Sequence, residues 1–466
     1  MAASSSKSAW SVRLWSLLLA HWANDMKTPI CDFVNKYAKE NNLRLHMPGH
    51  KGASFIGVEH LDITEIQGAD SLYEANGIIA QSEANASELF GCKTYYSTEG
   101  SSQCIRAMLY LATLYAKKCG KKPLIASTRN AHKTFHSACA LLDLDVEWIY
   151  PRKMDNYLSC VVDGDDIKSF LDKAICKPTA IYLTSPDYLG KMCDIESISK
   201  ICREEGILLI VDNAHGAYLK FLQKSEHPID LGADICCDSA HKTLPVVTGG
   251  AYLHLSDSLE CVDGYVKNAL ALFGSTSPSY LILQSLDAAN LYLETYKDRL
   301  SEFVLKVDNL KNQLIELGYE LYGNEAIKIT LQTKKYGYKG YDFAKILKEK
   351  GIVCEFCDPD FVVFMLTPEN DNLECIFEIM KSIPKLPAIN ENMPEFALTE
   401  KKMSIREAIN SPFEVKSVEE CLDRVLAMTS VGCPPAVPIV VAGEVIDQNA
   451  INCFKYYGID KCNVVK

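Results

Sequence analysis

The residues of this chain best suited to chemistry lie in two short stretches, Val211-Asp212-Asn213-Ala214-His215-Gly216 and Asp238-Ser239-Ala240-His241-Lys242-Thr243. A lysine just past a buried strand loses hydration, so its amine gives up its proton more readily and condenses with an aldehyde as an imine. An aspartate ending an apolar run can keep a heterocyclic nitrogen protonated. A cationic ring then accepts the electron pair released when a bond at a substrate's Cα breaks. Most lysines are solvated surface charges, and an aspartate after a strand often only caps the next helix. Together, however, Lys242, Asp212 and the Ser-x-His before the lysine describe a site for pyridoxal 5'-phosphate.

Other residues fit the same chemistry. Gly100-Ser101-Ser102-Gln103 opens a helix just after Thr98, and small residues with free N–H groups at a helix N-terminus suit a phosphate. Ser239 and His241 can supply donors from the opposite side. His132, within Thr128-Arg129-Asn130-Ala131-His132-Lys133-Thr134, is placed to stack on the ring and bring an acid near Cα; the structural alternative is a satisfied loop histidine. His215 either contacts an oxygen of the cofactor or packs. Cys354-Glu355-Phe356-Cys357 is a lone C-x-x-C with no second pair, so no metal site is expected.

These residues need a frame that delivers them to one place. Between about 87 and 290 short apolar, β-branched runs alternate with helical patterns: 123–126, 146–150, 180–184, 207–211 and 234–237 read as strands. That alternation predicts an α/β fold with a mainly parallel sheet covered on both faces. Ligands in such sheets sit beyond the carboxyl ends of the strands. Ser185-Pro186-Asp187-Tyr188, Asp212 and Ser239–Lys242 each follow a strand. A helix is expected over about 26–42, a long helical stretch over about 278–317, and then a smaller α+β unit with strands at 327–332 and 361–366 and helices near 371–382 and 417–428. The organisation expected is an arm over 26–86, a large cofactor-binding domain over 87–295 and a C-terminal α+β domain over 296–466. Residues 1–25 read as a leader or an upstream extension, with Met26 the expected start.

The chain has 466 residues, 48% of them hydrophobic and 23% charged, which is the composition of a globular protein with a large core. Its formal charge of −12 argues against a nucleic-acid or anionic-membrane partner. The apolar run within residues 14–20 is too short to span a bilayer. The 19 scattered cysteines read as free thiols in a reducing cytoplasm.

Six ordered motifs now carry a resemblance: Met47-Pro48-Gly49-His50-Lys51-Gly52, Asp62-Ile63-Thr64-Glu65, Arg129-Asn130-Ala131-His132-Lys133, Asp212–Gly216, Ser239–Thr243 and Ser275-Thr276-Ser277-Pro278-Ser279-Tyr280. With the Pro-rich loop Pro434-Pro435-Ala436-Val437-Pro438 and Gly443-Glu444, the chain resembles the bacterial-type ornithine/lysine/arginine decarboxylases from about 43 to 446. These are pyridoxal phosphate enzymes of the aspartate-aminotransferase fold, fold type I, that feed polyamine metabolism. The resemblance implies that Lys242 carries the cofactor, Asp212 pairs with the ring nitrogen and His132 stacks on the ring. It also implies that Ser101, Ser102, Ser239 and His241 hold the phosphate. Thr276 would reach the phosphate of a neighbouring subunit, making a homodimer or a multiple of dimers the active form, and Glu444 would contact a distal substrate amine. Glu99, Leu189 and Asn213 depart from the family, which usually has Asn, Tyr and Glu there, and the chain lacks the family's N-terminal wing. The expected activity is decarboxylation of a basic amino acid. The alternatives are an aminotransferase or lyase of the same fold, or an inactive regulatory homologue.

Overall fold

The apolar runs become strands because helices cover both of their faces, so they need no polar alternation. In the computed structural model, which describes residues 26–466 apart from 41, 153, 155, 371, 396 and 430–436, seven strands form one sheet. They are β1 (Lys93–Ser97), β2 (Leu124–Thr128), β3 (Asp145–Ile149), β4 (Ala180–Thr184), β5 (Leu208–Asp212), β6 (Ile235–Asp238) and β7 (Ala251–Leu255). Their order is β1-β7-β6-β5-β4-β2-β3. Neighbours from β3 through β6 pair in parallel, whereas β7 runs antiparallel to both β6 and β1. Every residue of β5 is buried. Leu209 and Val211 face Ile181, Leu183 and Ile198 on one side, while Leu208 and Ile210 join Ile105, Met108 and Phe135 on the other. The expected α/β sheet is thus present, with two strands that sequence patterning misses. β1 begins on Lys93-Thr94, and its polar start hides it.

The first 25 residues and most of the Pro-rich loop lie outside the described residues. The expected arm helix forms over Pro29–Lys39, and the long helical stretch divides into Tyr280–Leu293 and Tyr296–Glu316. Beyond them, β8 (Leu321–Tyr322), β9 (Lys328–Gln332), β10 (Phe356–Cys357) and β11 (Phe361–Met365) make an antiparallel sheet in the order β10-β11-β9-β8. A third sheet, β12-β14-β13, joins β12 (Phe413–Ser417), β13 (Leu426–Met428) and β14 (Lys461–Val465).

One expectation fails here: 417–428 is not a helix. A single 3-10 turn, Val418–Cys421, is followed by Asp423 at φ 60, and the chain then enters β13. Val418, Cys421, Val425 and Leu426 mimic helical spacing, but Leu426 pairs with Val464 of β14, and that pairing overrides local preference.

Arm, long helices and the β8–β11 sheet share one apolar core that includes Ile30, Val34, Leu283, Leu300, Ile329, Val362 and Met380. A buried carboxylate pins the arm to this core. Asp287 Oδ2 accepts from the N–H groups of Ile30 (3.0 Å) and Cys31 (2.9 Å), the open first turn of the arm helix, and Oδ1 accepts from the Ser82 hydroxyl (2.6 Å). Asp287→Ala leaves those donors unpaired and should lower stability by about 3 kcal/mol. Urea unfolding checks this; an unmoved midpoint would mean that apolar packing alone holds the arm.

Candidate active site

Parallel strands end on one side of the sheet, so the residues just past their ends meet there. Asp212 closes β5 and is almost fully buried. Its Oδ2 accepts from the Tyr182 hydroxyl of β4 (3.0 Å) and its Oδ1 from the Ala214 N–H (3.2 Å). Burial pushes its carboxyl above the usual range, and the nearby Lys242 amine pulls it back. Lys242 sits in the one-turn helix Ala240–Thr243 after β6, its Nζ 3.0 Å from His215 Nε2. Burial lowers the lysine's affinity for a proton, while Asp212 raises it. Amine and carboxylate therefore lie within electrostatic reach of one another in a dry site.

Two histidines stand beside them. His132 opens the helix Lys133–Leu142, and its Nδ1 accepts from the Thr134 N–H at 3.2 Å and lies 3.0 Å from the Thr134 hydroxyl. Burial and then the charge of Lys242 push its imidazole down to about 4, so the ring is neutral and carries its proton on Nε2. His215 is fully enclosed and held well below the ordinary range by burial, Lys242 and Lys328.

The helix Gly100–Lys118 points its N-terminus at the same region. No side chain caps it; Gly100 has φ +69, and the space where a Cβ would stand is open. The Ser239 hydroxyl donates to Ser101 Oγ at 2.8 Å, and Ser102 Oγ lies 3.2 Å from Thr134 Oγ1. His241 Nδ1 is bound to the Gly250 carbonyl at 2.9 Å, which steadies the turn. Uncapped N–H groups, hydroxyls and open space suit a phosphate. A buried carboxylate, an amine of reduced basicity and a neutral imidazole suit a cationic ring bearing an aldehyde. The residues present fit pyridoxal phosphate.

The structure thus brings Ser101, Ser102, His132, Asp212, His215, Ser239, His241 and Lys242 to one end of the sheet. Three other residues have different surroundings. The Gln103 amide points into the protein, donating to Tyr73 Oη and the Leu270 carbonyl (both 2.8 Å) and accepting from Ser97 (2.5 Å). Thr276 is exposed. Glu444 is buried against Arg129, whose guanidinium donates to Oε2 at 2.7 Å; Thr399 and the Val441 N–H donate to the same oxygen. Arg129 also lies over the Trp148 ring, 5.0 Å from its centroid. That engagement ties the C-terminal loop to the end of β2.

Four further residues enter from outside the motifs. Tyr182 holds Asp212, and Tyr188 stands edge-on to His215 with ring centroids 5.0 Å apart. The Tyr188 hydroxyl donates to Glu355 Oε1 at 2.8 Å, and Glu355 is among the charges that raise Lys242. Lys328, fully buried at the start of β9, pairs with Glu325 Oε2 (2.7 Å), donates to the Asp187 carbonyl (3.3 Å) and lies 3.5 Å from His215 Nδ1. Its signal in the sequence is one charge inside the apolar run Ile327–Leu331.

Comparison with known proteins gives the chain its relatives. The family model for the major domain of the Orn/Lys/Arg decarboxylases matches residues 28–329. An arginine decarboxylase of Bacillus subtilis is 29% identical over 91% of this chain and 92% of its own length. One from Halalkalibacterium halodurans is 27% identical over the same shares. Among solved structures, a lysine decarboxylase of Francisella novicida superposes with a TM-score of 0.79 at 16% identity, covering 99% of this chain and 84% of the other. The constitutive lysine decarboxylase of Escherichia coli gives 0.76 at 16%, covering 100% and 85%.

Lys328→Met leaves the Glu325 carboxylate buried without its partner and should cost about 3–5 kcal/mol in urea unfolding. Replacing both residues by Met and Leu should recover most of the loss. An equal loss in the double variant would show that Lys328 is needed for its other contacts instead.

Proposed function

The chain belongs to the Orn/Lys/Arg decarboxylase family, and from that premise we propose that it removes the α-carboxylate of a basic amino acid with pyridoxal 5'-phosphate as cofactor, releasing carbon dioxide and an amine. The observation that carries the reading is the buried, mutually attracting pair of Lys242 and Asp212 at the carboxyl ends of β6 and β5. When bound, the cofactor supplies an aldehyde for amines and a ring that takes up the electron pair left by the departing carboxylate.

In this reading each residue has a defined task. Lys242, with its lowered proton affinity, would be the amine that holds the cofactor's aldehyde. Asp212, held by Tyr182 and the Ala214 N–H, would supply the carboxylate that keeps the cofactor's ring nitrogen protonated. Neutral His132 would hold the ring from one side, and it keeps a proton on Nε2. Ser101, Ser102, Ser239 and the open helix terminus bind the phosphate, with His241 bracing the turn beside them. The enclosed floor excludes water, so the substrate carboxylate is poorly solvated and its loss is favoured.

Glu355 is the proposed contact for the substrate's distal cation. Its carboxylate is exposed at the mouth, oriented by Tyr188, and close enough for Lys242 to feel its charge. The relatives similar over about nine-tenths of both chains include arginine decarboxylases, which makes arginine the first substrate to test, with lysine and ornithine beside it. The proposed active form is a dimer. Exposed Thr276 and the exposed Leu43, Leu45, Phe55 and Ile56 support it, since a lone chain seldom leaves such a group of apolar side chains in water. Among the described residues no helix is long and apolar enough to cross a membrane, and the cysteines are free. Free thiols support a reducing cytoplasm.

Lys242→Ala should abolish both carbon dioxide release and the visible absorbance of the bound cofactor; retention of either would transfer the role to another lysine. Asp212→Ala should cut turnover by about three orders of magnitude while the cofactor still binds. Glu355→Gln should raise KM for the basic substrate by about tenfold or more with a smaller change in kcat. An unchanged KM across arginine, lysine and ornithine would remove Glu355 from substrate recognition.

A further inference from the structure

Behind the site lies a second polar cluster, with every side chain closed off from solvent. Asp238, the last residue of β6, directly precedes Ser239-Ala240-His241-Lys242. Its Oδ2 lies 3.2 Å from His227 Nε2 and 3.1 Å from His254 Nε2, and its Oδ1 accepts from Asn213 Nδ2 at 2.6 Å. All four residues are 0% exposed. Asn213 follows Asp212, and its backbone N–H donates to the Cys237 carbonyl at 3.0 Å. Its side chain is locked as well, for a Cβ on Gly216 would fall 2.0 Å from Asn213 Oδ1.

The protons in this cluster can be placed. His227 Nδ1 has no hydrogen-bond partner, whereas Nε2 faces Asp238, so the geometry directs a proton from Nε2 at the carboxylate. His254 Nε2 donates to the same oxygen, and its Nδ1 lies 2.9 Å from Thr94 Oγ1, which itself donates to the Cys92 carbonyl. The Thr94 hydroxyl is therefore free to accept, and His254 can donate from both nitrogens. Asp238 raises the proton affinity of His254, and the two imidazoles hold the Asp238 carboxyl far below the usual range. A carboxylate with three donors in a dry setting is fixed in one orientation.

The geometry points to Asp238 and Asn213 as positioning residues for the decarboxylation: the anion binds the ends of β5 and β6 together and so sets the separation of Asp212 from Lys242. The cluster joins β5 (through Asn213), β6, β7 (through His254) and the loop that carries His227. This inference rests on the assignment of Lys242 and Asp212 to the cofactor.

The test exchanges the two groups. Asn213→Asp opposes two carboxylates across the present contact; it should lower kcat about 10- to 100-fold, leave KM nearly unchanged and displace the visible band of the cofactor-loaded protein. The double variant Asn213→Asp/Asp238→Asn restores one donor and one acceptor and should recover most of kcat and the band. A double variant no better than the single one would overturn the inference. If Asn213→Asp fails to fold, Asn213→Ala deletes only the donor, and a wild-type kcat and spectrum there would overturn it equally. In the cofactor-free protein, NMR of the imidazole nitrogens should find Nε2 protonated in both His227 and His254. An equivalent of bound zinc, with those nitrogens stripped of protons, would replace the hydrogen-bonded cluster by a metal site. A wild-type protein that binds no cofactor would defeat the decarboxylase reading, and the NMR result would still decide the cluster.

Discussion

Everything at the carboxyl ends of the strands depends on keeping an amine and a carboxylate near each other without water. Burial alone would drive both Lys242 and Asp212 to their neutral forms. Their mutual attraction opposes that tendency, and the surrounding hydrogen bonds decide where each group rests. Tyr182 and the Ala214 N–H fix Asp212, while the Lys242 amine rests 3.0 Å from His215 Nε2. The sheet makes this possible because β4, β5 and β6 are covered on both faces, so the polar groups emerge only at their ends.

The site is also a junction between the large sheet and the smaller antiparallel sheet β8–β11. Lys328 comes from β9 and Glu355 from the turn before β10, yet both act on groups beside Lys242. The apolar core that unites the arm, the two long helices and the β8–β11 sheet is what allows a cation from one part to sit 3.5 Å from a histidine of the other. Packing far from the chemistry thereby sets the electrostatics within it.

Sequence alone made much of this legible where the signal was local. Lys242, Asp212 and His132 each stand next to a strand whose apolar run can be read directly, and the Gly-Ser stretch at 100–102 sits where a helix begins. The parallel sheet followed from the same runs. Residues that arrive by tertiary contact gave no such signal. Glu355 lies over a hundred positions beyond Lys242, and nothing in Cys354–Cys357 announces that Tyr188 will reach it. The sequence places Glu444 in a loop, but residue type does not reveal that Arg129 donates to it. At 417–428 the apolar spacing fitted a helix, and only pairing with β14, near the far end of the chain, turned part of it into a strand.

The Arg129–Glu444 pair ties the last segment of the chain to the strand that leads into His132. Arg129 is enclosed by Trp148, the Ile439 carbonyl and Glu444, and Thr399 and Val441 complete the carboxylate's shell. A protease cut or premature stop upstream of Ile439 would strip a buried guanidinium of its counter-ion three residues from the imidazole. The fit of the tail is thereby coupled, through Arg129, to the segment that carries His132.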